Sequence, residues 1–135
     1  MKGRFYACCV CALSTDSLSY SHSIYYQTTS TSFVLEYVTT KYQQTGQYYH
    51  FTIAYSTTRP GVFVVKYFQI SDAGASTLVG AQENGAAGSK FVQYTFDTPN
   101  VVGPGSAVEI DTINNVVRPY TFDAKCSAGY FTPTA

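Results

Sequence analysis

The side chains in this chain that could carry acid–base, nucleophilic or metal chemistry are few: two histidines, eight carboxylates and four cysteines. Histidine catalysis needs a positioned nucleophile and an orienting acid around the imidazole. His22 sits in a polar segment and His50 in the middle of a strand-like run, and neither lies in a G-x-S-x-G elbow or an H-E-x-x-H helix. Glu109 and Asp111 lie two residues apart on one strand face. Glycoside hydrolysis uses two carboxylates across a cleft, one with a raised pKa, whereas alternating outward acids are what a half-exposed strand requires. The glycines between Gly80 and Gly88 follow neither G-x-G-x-x-G nor the phosphate-loop spacing. Asp72 and Asp97 stand in turns that could offer carbonyls to Ca²⁺, but no D-x-D-x-D-G loop surrounds them. The sequence therefore assigns no catalytic residue, no cofactor and no metal ligand, and the chain reads as a non-enzyme.

The cysteines belong to a different question. Lys2 and Arg4 precede the apolar run Phe5 to Leu13, which holds Cys8, Cys9 and Cys11, and Ser14-Thr15-Asp16-Ser17 follows. A basic start, a short apolar stretch and small polar residues form the order of a secretory signal, with Ser17-Leu18-Ser19 as the cleavage region. Residues 1–19 are thus expected to be a signal peptide or N-terminal apolar segment, and 20–135 a single domain placed outside the cell or on its surface. The run is too short to cross a membrane, which takes about 20 apolar residues. If it is retained, one of its cysteines can bridge to Cys126; if it is cleaved, Cys126 is left for an intermolecular bridge or an inert thiol. The C-C-x-C spacing does not match a zinc-binding pair.

Composition narrows the class of partner. Charged residues make up 12% of the chain, against about 25% in an average globular protein, and the formal net charge is zero. Such a surface offers no footprint for a phosphate backbone, so nucleic acid is not expected as a partner. It is also weakly protected against self-association. The chain holds 13 tyrosines and 9 phenylalanines but no tryptophan. Tyrosine serves both as a strand former and as an amphipathic contact residue. No N-x-S/T sequon is present.

The elements that must position these residues are strands. From Ser32 onward, short β-type runs alternate with turn residues at regular spacing, and no segment keeps a helical period. Strands are expected at 33–38, 48–55, 62–70, 76–83, 90–97, 107–112 and 116–122. Tyr49, Phe51, Ile53 and Tyr55 should face inward, with Tyr48 and His50 opposite. The 62–70 run is apolar on both sides, the mark of a central strand. Val62, Val64, Phe68 and Ile70 share one parity with Lys66; Phe63, Val65, Tyr67 and Gln69 share the other. Val92, Tyr94 and Phe96 share one face of their strand. Turns are expected at Gln43 to Gln47, at Arg59-Pro60-Gly61 in type II form, at Ser71 to Gly74, at Asn84-Gly85 and at Asn114-Asn115. Pro119 marks the last strand as an edge. The resulting fold is all-β, an antiparallel sandwich of about seven to eight strands with jelly-roll or immunoglobulin-like topology.

One stretch resembles a known family. Ala75-Ser76-Thr77-Leu78-Val79-Gly80-Ala81-Gln82, then Phe91-Val92-Gln93-Tyr94-Thr95-Phe96, then Gly105-Ser106-Ala107-Val108-Glu109-Ile110 resemble blocks of nidogen-like extracellular β domains, over about residues 62–111. The central motif reads T-L-V-G-A where those domains carry A-T-V-G-I, and their tryptophan positions are not matched. The resemblance implies a noncatalytic adhesion or matrix module and carries over no binding residues.

The functional expectation is a noncatalytic extracellular module for adhesion or structural assembly through protein–protein contacts or self-assembly. A second expectation is a lectin-like carbohydrate-binding module in which an exposed Tyr48, Tyr67 or Tyr94 stacks on sugar rings. A third is a viral capsid or appendage subunit, for which small sandwiches are common material.

Overall fold

The computed structural model describes residues 18–19, 24–41, 44–75, 77–82 and 91–123. These form nine antiparallel strands: β1 (Leu18–Ser19), β2 (Ile24–Thr28), β3 (Ser32–Lys41), β4 (Gln44–Ser56), β5 (Val62–Ile70), β6 (Leu78–Gln82), β7 (Phe91–Phe96), β8 (Ser106–Asp111) and β9 (Val116–Thr121). Seven of them make one sheet in the order β1-β3-β4-β5-β8-β9, with β2 beside β1 on the same edge of β3; β6 and β7 form a separate hairpin. The fold is thus the expected all-β antiparallel class, as a lopsided pair of layers with no closed barrel. The stretch resembling nidogen-like domains builds β5 to β8. The boundary expected after residue 19 falls between β1 and β2.

Local chemistry explains the turns. Val62 N–H donates to Arg59 O across 3.2 Å, and Gly61 at φ +78° fills the third turn position, as a type II turn requires. A Cβ on Gly61 would meet the Ile113 side chain at 2.6 Å, but Ile113 is exposed and free to swing. Gly61→Ala is therefore expected to cost about 1–2 kcal/mol, the price of a left-handed backbone at a residue with Cβ, measured as a lower denaturant midpoint. At the β8–β9 turn, Asp111 Oδ1 accepts from Ile113 N and Asn114 N at 3.1 and 2.9 Å, while Asn115 takes φ +53°. The turn expected at 43–47 is displaced: β4 already begins at Gln44, which pairs with Lys41.

The hairpin and Val102 cover one face of the large sheet. Tyr49, Phe51, Val65, Tyr67, Ile70, Val108 and Ile110 meet Val79, Ala81 and Val102 in a single buried cluster. Burial of each such side chain contributes about 1.5–3 kcal/mol relative to exposure, so this half of the sheet is where the stability resides. Tyr49 and Phe51 face inward as expected, with Ile53 packed against the cluster.

Two bulges reset the parities read from sequence. Tyr49 pairs with Ile70 and His50 with Gln69, but Phe51 pairs with Tyr67, so Phe68 is an extra residue in β5. The bulge returns Ile70 to the core face beside Val65 and Tyr67, and sends Phe68 to the opposite face, where it stacks on His50 at 4.8 Å. In β7, Val79 pairs with Thr95 and Gly80 with Gln93, leaving Tyr94 as the extra residue. Val92 and Tyr94 pack against the core while Phe96 is exposed, correcting the expectation that all three share one face.

Candidate interaction surface

The three tyrosines singled out from sequence do not come together. Tyr67 is fully buried, which removes it as a contact residue: β5 is apolar on both sides, and only the placement of the hairpin decides which side is covered. Tyr94 is half-buried against the core at its bulge. Tyr48 is half-buried on the opposite face of the sheet; its N–H donates to Ser71 Oγ at 2.8 Å, and the Ser71 hydroxyl donates back to Tyr48 O at 2.9 Å. Of the three, Tyr67 alone is closed off from an external ligand. Cys8, Cys9, Cys11, His22, the Asn84-Gly85 loop and Cys126 lie outside the described residues.

The polar groups on the open face are engaged with one another. His50 Nε2 lies 2.7 Å from Glu36 Oε1 while its ring rests on Phe68, and Phe68 meets Phe122 edge-on at 5.3 Å, with Lys66 Nζ over the Phe122 ring. Arg59 donates from both terminal nitrogens to Glu109, each at 2.8 Å, and Arg118 reaches the same carboxylate at 3.2 Å. The Arg59 fork holds Glu109 below the usual carboxylate range. Asn114, through side chain and backbone, does the same for Asp111. Both carboxylates are thus set up as stable anions and structural acceptors, the reverse of the proton-loaded acid that glycoside hydrolysis needs. Asp72 is likewise occupied, accepting from Tyr49 OH at 2.8 Å and from Gly74 N at 3.0 Å.

Among the described residues, β2 forms an edge of the large sheet. β2 pairs with β3 in unbroken register from Ile24↔Tyr37 to Thr28↔Phe33, and all five of its residues are exposed. Ile24, Tyr25 and Tyr26 are 61%, 54% and 74% accessible, and Phe33 beside them is exposed too. Registers link these residues to the interior: the row Ile24, Tyr37, Phe51, Tyr67 runs from the open edge into the core, with Tyr37 stacked on Phe51 at 4.8 Å. The apolar face of the sheet thus continues past the hairpin that covers its middle. The strands expected from sequence begin only at Ser32, yet Ile-Tyr-Tyr-Gln-Thr at 24–28 is rich in strand formers and carries the signal.

The fold and this surface together define an all-β domain in which, among the described residues, the β2 edge of the large sheet is exposed and apolar. Comparison of the chain with protein families, curated proteins and solved structures finds no match. Among the described residues, no group of three His, Cys, Asp or Glu side chains is placed to hold a metal ion, and no helix is long and apolar enough to cross a membrane.

Proposed function

We propose that this protein is a noncatalytic β module that works through protein–protein contacts, in adhesion or structural assembly, with the β2 edge as its contact surface. The observation that carries this reading is β2 itself: an edge strand whose five side chains are all exposed and include Ile24, Tyr25 and Tyr26. An unguarded edge is a template for another strand, and tyrosine supplies contact area at low entropic cost. The secretory pattern of the N-terminus and the resemblance of residues 62–111 to nidogen-like domains support an extracellular or cell-surface setting.

The test is adhesion of beads coated with the full chain to surfaces bearing either the same protein or extracellular-matrix protein, compared with beads carrying Tyr26→Lys. Wild-type beads are expected to hold at least about tenfold more strongly, because a lysine placed on an edge opposes strand addition. Equal retention of wild-type, variant and albumin-coated beads on both surfaces would remove the contact reading. A glycan array run alongside separates protein contact from sugar binding.

A further inference from the structure

The two edges of the large sheet are built in opposite ways. β9, at one end, carries Arg118 and Pro119, a charge and a residue without an N–H donor, both of which blunt strand addition. β2, at the other end, carries no charge, no proline and no irregularity in its register with β3. The Thr29 N–H donates to Ser32 O at the start of this ladder, at 2.9 Å. Counting back by the antiparallel alternation, Tyr25 and Gln27 turn their backbone groups toward β3. Ile24, Tyr26 and Thr28 therefore aim theirs outward, in position to bond a further strand.

Resting on the contact-module reading above, we infer that the strand received by this edge is β2 of a second copy, paired antiparallel about a two-fold axis at Tyr26. In that register Tyr26 faces Tyr26, Ile24 faces Thr28 and Tyr25 faces Gln27. Every cross-strand pair is uncharged, so a copy meets itself without like-charge repulsion, and the central pair is aromatic on aromatic. Tyr26 faces Tyr26 in the outward-bonding set, so each residue gives its N–H and C=O to its own counterpart, the closure that an isologous dimer requires. The row ending at Tyr26 then runs on into the same row of the second copy, the row ending at Ile24 meets the row that joins Thr28 to Phe33, and the two large sheets become one. The absence of charge from β2 also argues against a partner chosen by electrostatics: selectivity at this edge has to come from side-chain pairing, and that pairing is self-complementary. The formal net charge of zero leaves no long-range repulsion between copies. A five-residue strand pair with its flanking residues is at the small end of specific interfaces, so the dimer is expected to be reversible and concentration dependent.

The two-fold axis supplies a decisive experiment. Tyr26→Lys and Tyr26→Glu each place a charge opposite its own copy, while their mixture places opposite charges across the axis. Tyr26 is largely exposed, so neither change should alter the thermal midpoint of the monomer. In sedimentation equilibrium of the full chain from about 1 to about 300 μM, wild type is expected to dimerise and each variant alone to bind itself at least about tenfold more weakly. The equimolar mixture is expected to regain the dimer, and to lose it again as salt is raised. A wild type that stays monomeric throughout overturns the second-copy inference, as do variants that dimerise like wild type or a mixture that stays monomeric. A monomeric wild type whose beads still adhere to matrix protein through Tyr26 overturns this inference alone and leaves the contact reading standing.

Discussion

Raising the pH through about 10 and above is expected to destabilise this domain steeply, and Tyr67→Phe is expected to remove a large part of that sensitivity. Tyr67 is fully buried among Phe51, Val65 and neighbouring core residues, and burial, with a smaller contribution from nearby Tyr94, pushes its phenol well above the ordinary value near 10. The folded state therefore keeps the proton to higher pH than the unfolded chain does. The stability associated with that difference is fully present below the unfolded pKa and is lost as pH rises toward the folded one. In that window the slope is about 1.4 kcal/mol per pH unit for one such phenol. Tyr49 adds to it in the same direction: burial, then its hydrogen bond to Asp72, pushes its phenol up as well.

The two tyrosines part company at neutral pH. The hydroxyl of Tyr49 is bonded to Asp72, so Tyr49→Phe should destabilise by about 1–2 kcal/mol. The hydroxyl of Tyr67 has no hydrogen-bond partner among the described residues, so Tyr67→Phe should gain on the order of 1 kcal/mol. Denaturant titrations of wild type and both variants at about pH 8 and about pH 11 check both statements. A wild type equally stable at the two pH values, or a Tyr67→Phe variant as alkali-sensitive as wild type, would show that this ring is not closed off from water.

Among the described glycines, Gly80→Ala is expected to be the most damaging change to alanine, at about 3 kcal/mol or more. A Cβ on Gly80 would overlap Val92 O and lie 3.2 Å from Gln93 Cα, both backbone atoms of the facing strand. No side-chain rotation relieves that contact; β6 and β7 have to move apart. The contact falls beside the bulge where Tyr94 is already the extra residue, and the hairpin is what covers Tyr49, Tyr67 and Ile110. The loss should therefore spread from the hairpin to the sheet beneath it. Hydrogen exchange should quicken first in β6 and β7, and near-ultraviolet dichroism from the buried tyrosines should fall. Gly103→Ala is the control, since a Cβ there meets nothing within 4 Å, and its effect should stay within about 0.5 kcal/mol. Comparable losses in the two variants would defeat the close-approach explanation.

These outcomes bear on function because the covered and open halves of one sheet face divide the work. Ile110, Val65 and Tyr49 lie under the hairpin and hold the fold; Ile24, Tyr26 and Phe33 lie beyond it and are exposed, and the proposed contact uses them. A variant that weakens the hairpin should lower stability without altering the β2 pairing surface. Tyr26 substitutions should do the reverse.

Much of the fold was legible in the sequence, for local reasons. Strand propensity and turn chemistry act within a few residues, so Arg59-Pro60-Gly61 announced its type II turn, Asn114-Asn115 its reversal, and Pro119 its edge, each by a conformational rule that needs no partner. The inward set from Tyr49 to Ile53 was readable because its opposite set is more polar. The bulges were not readable: Phe68 and Tyr94 are extra only relative to the strands they face, and an added residue reverses every parity beyond it. Tyr67 was misplaced for a related reason. When both sides of a strand are apolar, composition cannot say which side is covered, and the packing of the β6–β7 hairpin decided it. The side-chain chemistry followed the same division. Sequence showed that the histidines and carboxylates matched no catalytic pattern, but only tertiary structure set Arg59 against Glu109 across 50 residues of chain and His50 against Glu36. The β2 edge combines both levels: its uncharged Ile-Tyr-Tyr-Gln-Thr run is written in the sequence, while its position at the rim, with one side of its backbone turned outward, exists only once β3 has paired with it.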